Sequence, residues 1–223
     1  MKILLVALIL ALSACSTQQV KAPEVEKPPV IENAPETPAP AAGPNVGEVR
    51  VFADWPKPEW TEFAVSSIFT YGGAMSSARV KDADKYCPKF NTLAEEQKIG
   101  VLVTLISAMT RFESGFKPES TYKENFKDSK GNYVISTGLL QISQESANGY
   151  GCGITKSEML KDPKINIECG VKILNRWIPK DGYIGSTVNG KHLGGARYWS
   201  VLRNTSASQA KIQAKVKALE ICK

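Results

Sequence analysis

Glu113 combines a carboxyl group with a place on the apolar stripe of a helix. The apolar positions before it recur at intervals of three and four residues: Ile99, Leu102, Ile106 and Met109. Glu113 is the next position in that series, so it is predicted to face inward at the C-terminal end of the helix. Burial and the negative end of the helix dipole would both raise its pKa. A carboxyl group that stays protonated near neutral pH is suited to general acid catalysis of glycosidic cleavage. The alternative is a last-turn glutamate that faces solvent.

The helix that carries Glu113 has recognisable ends. Thr92-Leu-Ala-Glu95 has the pattern of a capping box, and Pro118 prevents continuation beyond about Ser114 and Gly115. A second helix is predicted after Asp162-Pro163. Its inward positions are Ile167, Val171, Leu174 and Ile178. Gly170 lies within this helix and indicates close approach by another backbone, because glycine otherwise weakens a helix.

The remaining segments support a mainly α (α+β) fold. A third helix is predicted from about Ser208 to Cys222, with three residues facing inward: Ile212, Val216 and Leu219. Arg79 to Tyr86 is a weaker helical candidate. The segment from Phe126 to Ile135 contains Asp128-Ser-Lys-Gly131, which is typical of a turn or short hairpin.

The first residues have the pattern of an export signal. Lys2 precedes an apolar run, Ile3 to Leu12, that is too short to span a membrane. The run ends in Leu12-Ser-Ala-Cys15, which resembles a bacterial lipobox. The resemblance implies removal of a signal peptide, residues 1–14, and anchoring to a membrane through lipid on Cys15. Ser16 after the cysteine implies sorting to the outer membrane, on its periplasmic side. The alternative is an ordinary signal peptide that contains a cysteine.

Residues 15–49 have the composition of a disordered, Pro-rich linker. Residues 16–47 contain no aromatic side chain but seven prolines: Pro23, Pro28, Pro29, Pro35, Pro38, Pro40 and Pro44. Such a segment extends by about 3.1 Å per residue, so about 30 residues would reach roughly 90 Å. The sequence therefore predicts one folded domain, residues 50–223, held away from the membrane.

Charge separates along the same boundary. Residues 50–223 carry 25 basic and 17 acidic side chains, a net charge of +8. A basic exported domain indicates an anionic partner, and peptidoglycan with its peptide carboxylates is one outside the cytoplasm. Nucleic acid is not expected, because no recognisable binding motif accompanies the basic residues. The excess charge is also compatible with a role in solubility alone, and we expect a monomer.

Lipidation of Cys15 would leave an even set of cysteines: Cys87, Cys152, Cys169 and Cys222. In an oxidising compartment four cysteines predict two disulfides, for which three pairings are possible. We favour Cys152–Cys169 together with Cys87–Cys222. A metal site and a cofactor are not expected, since there is no Cys-x-x-Cys pair and His192 is the only histidine.

Three motifs follow one another along the domain. They are Glu113-Ser-Gly-Phe116, then Ser136-Thr-Gly-Leu-Leu-Gln-Ile-Ser143, then Asn166-Ile167 with Gly170 and Leu174. The ordered set, from about Thr92 to Leu202, resembles the soluble lytic transglycosylase family, whose fold is that of goose-type lysozyme. The resemblance implies cleavage of the β-1,4 bond between N-acetylmuramic acid and N-acetylglucosamine, with Glu113 as acid and then base.

The same resemblance implies a substrate-binding set beside the acid: Ser114, Gly138, Leu140, Gln141 and Tyr198. Gly138 would let backbone approach the glycan, Leu140 would offer apolar contact, and the Gln141 amide would fix orientation. A packed turn is the alternative for this loop. Tyr198 takes the place of the family's signature tyrosine and is expected within hydrogen-bond reach of Glu113. Trp199 would stack on a sugar or lie in the core, and Arg203 is expected at the surface.

The sequence departs from the family in ways that bear on the reaction. About ten extra residues separate the glutamate from the Gly-Leu-Leu-Gln loop, and a serine that often assists the acid has no clear counterpart. Ser143 occupies the place of the aspartate of goose-type lysozymes. The departure favours a transglycosylase, in which the substrate's acetamido group assists and a 1,6-anhydro ring forms.

A second carboxylate would change that prediction. Glu124, Asp128 or Glu145 could lie near Glu113 and make the protein a lysozyme-type hydrolase. A lipoprotein that binds peptidoglycan without turnover is the remaining alternative, and the presence of Glu113 and Gln141 counts against it.

Overall fold

The computed structural model describes residues 53–223, which form seven α-helices and two small antiparallel sheets. The helices are α1 Glu59–Tyr71, α2 Gly73–Ser77, α3 Ala83–Tyr86, α4 Glu95–Glu113, α5 Gln144–Gly149, α6 Pro163–Asp181 and α7 Ala207–Lys217. The strands are β1 Thr121–Lys127, β2 Tyr133–Thr137, β3 Ile142–Ser143, β4 Gly185–Val188 and β5 Lys191–Gly194. The predicted signal peptide, Cys15 and the Pro-rich linker lie outside the described residues. Within residues 53–223 no helix has the length and apolar character needed to cross a membrane.

Helix α4 is the central helix of the domain, and every residue from Lys98 to Thr110 is buried. It begins at Glu95, so the predicted capping box at Thr92 is wrong. Thr92 ends a 3₁₀ turn, and its hydroxyl donates to the Lys89 carbonyl. The cap is offset by two residues: Gln97 Oε1 accepts the Ala94 N–H at 3.1 Å. Ala94 has no side-chain acceptor, so only one half of the capping box forms.

Helix α6 matches its sequence signals closely. Asp162 Oδ1 accepts the N–H groups of Lys164 and Ile165 at 2.8 and 3.3 Å, and Pro163 occupies the first turn. All four residues of the predicted stripe are buried. The expectation for Gly170 is wrong in detail, because a side chain and not a backbone approaches it. A Cβ added at Gly170 would lie 2.2 Å from Leu140 Cδ1.

The C-terminal segment is shorter as a helix than predicted. Helix α7 ends at Lys217, and a 3₁₀ turn, Glu220–Cys222, completes the chain. The inward residues of the predicted stripe are buried as expected. Of the weak candidate from Arg79 to Tyr86, only α3 is helical, preceded by Asp82, which accepts the backbone N–H groups of Ile184 and Gly185.

Both favoured disulfides are present. Cys87–Cys222 ties the end of the chain to the residue that follows α3, and Cys152–Cys169 joins the segment after α5 to α6. Each closes a loop that the unfolded chain would otherwise leave open, and therefore favours the folded state.

The predicted hairpin is strands β1 and β2, which extend beyond the expected segment. The two strands pair antiparallel, with a register shift between Lys123 and Lys127, and β3 pairs with the other edge of β2. The β4–β5 hairpin was not among the predicted elements. Its turn is Asn189-Gly190, with φ of 50° and 76°, a pair typical of a two-residue hairpin turn.

Candidate active site

Glu113 is the last residue of α4 and is partly exposed. Burial raises the pKa of its carboxyl group to about 7, the negative charge of Glu124 adds to the rise, and the positive charge of Arg203 opposes it. Among residues 53–223, no group hydrogen-bonds to this carboxyl. As predicted, the last position of the stripe carries a carboxyl group that is partly protonated near neutral pH.

The chain turns sharply directly after Glu113. Gly115 and Phe116 both adopt the left-handed conformation, with φ of 61° and 63°. Glycine accepts this conformation without strain, which explains Gly115. The Ser114 hydroxyl donates to the Thr110 carbonyl at 3.2 Å and is nearly buried. The structure therefore gives Ser114 a role at the end of α4, and the substrate contact that the resemblance implies stays a prediction.

Glu124 is the candidate second carboxylate that acts on Glu113. It lies on β1, and the Ser136 hydroxyl of β2 donates to its Oε1 at 2.6 Å. Its negative charge is one cause of the raised pKa of Glu113, so the two carboxyl groups lie close enough to interact. The sequence alone gives no signal for the Ser136–Glu124 hydrogen bond, because the pairing depends on the register of β1 and β2.

The other two candidate carboxylates organise the β1–β2 turn. Asp128 Oδ1 accepts the backbone N–H groups of Lys130 and Asn132 at 3.0 and 2.8 Å. Glu145 reaches across from α5 and accepts the Ser129 N–H at 3.1 Å. Neither is among the groups that shift the pKa of Glu113. Of the three candidate carboxylates, Glu124 is therefore the one whose charge acts on the acid.

Arg203 is a site residue that the sequence argument placed wrongly. It is partly buried, its Nε donates to the Ala196 carbonyl at 3.1 Å, and its charge lowers the pKa of Glu113. Burial lowers the pKa of the Arg203 guanidinium, and the Glu113 carboxylate opposes that effect. Arg203 is thus positioned to stabilise Glu113 after the acid has lost its proton. Its distance of 90 residues from Glu113 along the chain gave no sequence signal for this proximity.

The Gly138–Gln141 loop is held mainly by core contacts. Asn166 Nδ2 donates to the carbonyls of Thr137 and Leu160, and its Oδ1 accepts the Leu140 N–H at 2.8 Å. A Cβ at Gly138, where φ is 81°, would lie 2.0 Å from the Leu160 oxygen. Packing against this segment explains why position 138 is a glycine, and approach of a glycan to its backbone stays a prediction.

Leu140 is buried, so the sugar contact expected of its side chain is wrong. The side chain packs on Gly170, and the Leu140 carbonyl accepts the Trp199 indole N–H at 2.8 Å. Trp199 is itself a buried core residue, which excludes the alternative of a sugar-stacking ring. Gln141 stays partly exposed, in a left-handed conformation with φ of 49°, and its Nε2 donates to the carbonyls of Ser120 and Gly138.

Tyr198 does not pair with Glu113 as expected. Its hydroxyl accepts the Ser143 N–H at 3.4 Å, and burial raises the pKa of Tyr198 to about 12. Ser143, which stands where goose-type lysozymes carry an aspartate, instead caps α5 by accepting the Ser146 N–H. Tyr198 thus fixes the start of α5, and its substrate contact stays a prediction.

Comparison with known proteins identifies the family. The model of the transglycosylase SLT domain matches residues 90–213, which include Glu113, Gln141 and Arg203. The chain belongs to this family. No curated protein matches it. The SLT family acts on peptidoglycan, so the chain belongs to a family of enzymes of the lytic transglycosylase type.

Solved structures of the protein DslA are similar to the chain. The wild-type form is 41% identical in sequence, with a TM-score of 0.75. The alignment covers 78% of the present chain and 98% of the DslA chain. Two variants of DslA, each with one glutamate replaced by glutamine, share 42% identity, cover 74% of this chain and 91% of that chain, and have a TM-score of 0.72. The helices and small sheets described above therefore form the expected lysozyme-like α+β fold.

Proposed function

We propose that the protein cleaves the β-1,4 bond between N-acetylmuramic acid and N-acetylglucosamine in peptidoglycan, with Glu113 as general acid. The observation that carries the proposal is the carboxyl group of Glu113, whose pKa is raised to about 7 at the end of a buried helix stripe. At neutral pH a substantial fraction holds a proton that it can donate to the glycosidic oxygen. Membership of the SLT family supplies the class of substrate.

Arg203 would stabilise Glu113 once the acid has given up its proton. When the C1–O4 bond breaks, Glu113 gives its proton to the departing oxygen and becomes negatively charged. The Arg203 guanidinium favours that charged form, since its charge lowers the pKa of Glu113. Glu113 can then accept a proton from the hydroxyl group that attacks the muramic acid carbon, which restores the acid.

Glu124 favours water as the attacking group, which makes the reaction hydrolysis and not the transglycosylation that the sequence favours. Retaining and inverting glycosidases use two carboxyl groups around the scissile bond, and Glu124 supplies a second one that interacts with Glu113. Its negative charge would stabilise positive charge at C1, and the product would be a reducing muramic acid end. The two glutamates exchanged in the DslA variants lie eleven positions apart, as Glu113 and Glu124 do here.

Formation of a 1,6-anhydro end is the second candidate, and the family to which the chain belongs favours it. In that reaction the C6 hydroxyl of muramic acid attacks C1, and the acetamido group takes the part of the second carboxylate. Mass spectrometry of the ends released from purified sacculi distinguishes the two, because a hydrated end is heavier than an anhydro end by one water.

Replacement of the carboxylates separates the same two reactions by a second route. If water attacks, Glu124→Gln should lower turnover by several orders of magnitude, as expected for loss of a carboxylate that takes part directly. Glu145→Gln is the matched control, since Glu145 supports the β1–β2 turn and is not among the groups that shift the pKa of Glu113. Anhydro ends together with equally mild effects of both changes would contradict the hydrolytic proposal.

We propose further that the mature protein is anchored in the outer membrane through lipid on Cys15, facing the periplasm. The support is the lipobox-like run that ends at Cys15 and the Pro-rich segment that follows it. Cys15→Ser should move the protein from the membrane fraction to the soluble fraction of the cell envelope. Retention of the Cys15→Ser variant in the outer membrane would contradict the anchor.

A further inference from the structure

Two aromatic side chains on β1 are exposed to solvent on either side of Glu124 along the strand. Tyr122 is 62% exposed and Phe126 is 52% exposed, and they stand two residues before and two residues after Glu124. Large apolar side chains of this kind are usually at least half buried, and exposed groups of them commonly mark a binding surface. Each side chain here has its ring available to a ligand.

The contacts of the hairpin place these rings on the same face as Glu124. Tyr122 is paired with Ser136 in the register of β1 and β2, and the Ser136 hydroxyl donates to Glu124. Tyr122 and Glu124 therefore share the face of Ser136, as alternate residues of a strand do. The Glu124 charge acts on Glu113, so this is the face directed at the acid.

The opposite face of the same hairpin has a different composition. Lys123 and Lys127 lie over the ring of Tyr133, with the ammonium nitrogens 4.0 and 5.5 Å from the ring centroid. These contacts place Lys127 on the Tyr133 face, where it also pairs with Tyr133, so its neighbour Phe126 projects to the opposite face, that of Glu124. Tyr133 is 48% exposed, but its ring already packs against two cations.

We propose that Tyr122 and Phe126 bind the peptidoglycan glycan strand, one ring on each side of the bond that Glu113 cleaves. Pyranose rings present faces of C–H groups that pack on aromatic rings, whereas their hydroxyl groups point outward to solvent. A strand face that carries a carboxylate between two exposed aromatic rings can bind a glycan strand that runs along it, with one sugar on each ring. This inference rests on the proposed function for its substrate class, and it names the residues that hold the chain in place.

The continuity of this face with the catalytic carboxyl groups is what selects a glycan as its occupant. A protein partner docked on Tyr122 and Phe126 would cover Glu124 and obstruct access to Glu113. A sugar strand is the occupant that uses both the rings and the carboxyl groups.

Binding without turnover tests the proposal directly. In the Glu113→Gln background, Tyr122→Ala and Phe126→Ala should each weaken co-sedimentation with purified peptidoglycan sacculi by about three- to tenfold, the range expected for one aromatic contact. Tyr133→Ala is the matched control: a similarly exposed ring on the opposite face of the same hairpin, whose loss should change binding by less than twofold. Equal losses for all three variants, or none for Tyr122→Ala and Phe126→Ala, would overturn the proposal.

A conservative variant and a kinetic measurement distinguish loss of binding from loss of folding or of turnover. Tyr122→Phe keeps the ring and should retain binding within about twofold, so a tenfold loss in that variant would contradict ring packing as the cause. In the otherwise wild-type enzyme, Tyr122→Ala and Phe126→Ala should raise KM for sacculi more than they lower kcat. If the wild-type enzyme releases no muropeptides while the alanine variants still lose binding, the glycan surface stands and the proposed catalytic function fails.

Discussion

Replacing Glu113 with glutamine should stabilise the folded protein at high pH and change its stability little at low pH. The pKa of Glu113 is raised from 4.5 to about 7, so the folded state holds the proton more tightly than the unfolded state. The resulting stabilisation is complete below about pH 4.5 and is lost as the pH rises through 7. Above that range the wild-type protein must keep a carboxylate in a partly buried site, whereas Glu113→Gln remains neutral.

The size of the effect follows from the shift in pKa. One unit corresponds to about 1.4 kcal/mol, so a rise from 4.5 to about 7 sets an upper limit of roughly 3 to 4 kcal/mol. Glu113 is partly exposed, and solvent screening reduces this figure, so we expect an advantage of about 1 to 3 kcal/mol for the variant at pH 8.5.

Urea unfolding of both proteins, without reductant, from pH 4 to pH 8.5 measures this difference. The two free energies of unfolding should agree near pH 4 and diverge between pH 4.5 and pH 8. A difference that stays constant across this range would refute the reasoning, because it would mean that Glu113 titrates alike in the folded and unfolded states. A variant that becomes less stable with rising pH, relative to wild type, would contradict the sign.

Three further outcomes follow from other contacts. Glu124→Gln should lower the pKa of Glu113, because the Glu124 charge is the second cause of its rise after burial. ¹³C NMR titration of the Glu113 carboxyl group measures this pKa. An unchanged or raised pKa would count against the interaction. The native protein should show no thiol labelling at the four cysteines of Cys87–Cys222 and Cys152–Cys169, and labelling without denaturant would contradict this. Reduction should lower the melting temperature, since each bridge contributes about 2–4 kcal/mol to the stability of the fold. Gly138→Ala should destabilise the fold by several kcal/mol, because the alanine Cβ would lie 2.0 Å from the Leu160 oxygen and the backbone has a φ of 81°. A melting temperature equal to that of the wild type would be inconsistent with that packing.

The features that the sequence predicted well are those set by neighbouring residues. The stripe from Ile99 to Met109 places Glu113 on a buried face because the helical period alone determines that position. Asp162 caps α6 for an equally local reason, and Asp128 organises the turn that its sequence indicated. The capping box at Thr92 failed because a 3₁₀ turn competes for that segment and moves the helix start to Glu95.

The features that the sequence missed depend on contacts between distant segments. The motif predicts a sugar contact for Leu140, yet Gly170 of α6 leaves space for the Leu140 side chain in the core. Arg203 approaches Glu113 only through the path of the chain after β5, which no periodicity reports. The choice of Glu124 among three carboxylates required the register of β1 and β2, because a shift of one residue would turn it to the other face. The β4–β5 hairpin, by contrast, carried a usable signal in Asn189-Gly190.

The central claim is that the Glu113 carboxyl group donates the proton that breaks the glycan. Its most direct test is release of soluble muropeptides from purified sacculi by the wild-type protein and by Glu113→Gln, quantified by mass spectrometry. The wild-type protein should release muropeptides with reducing muramic acid ends, and Glu113→Gln should release none above background while it still sediments with the sacculi. Retention of more than about a few per cent of the wild-type rate by Glu113→Gln would contradict the claim, because loss of an essential acid typically costs at least 10²-fold.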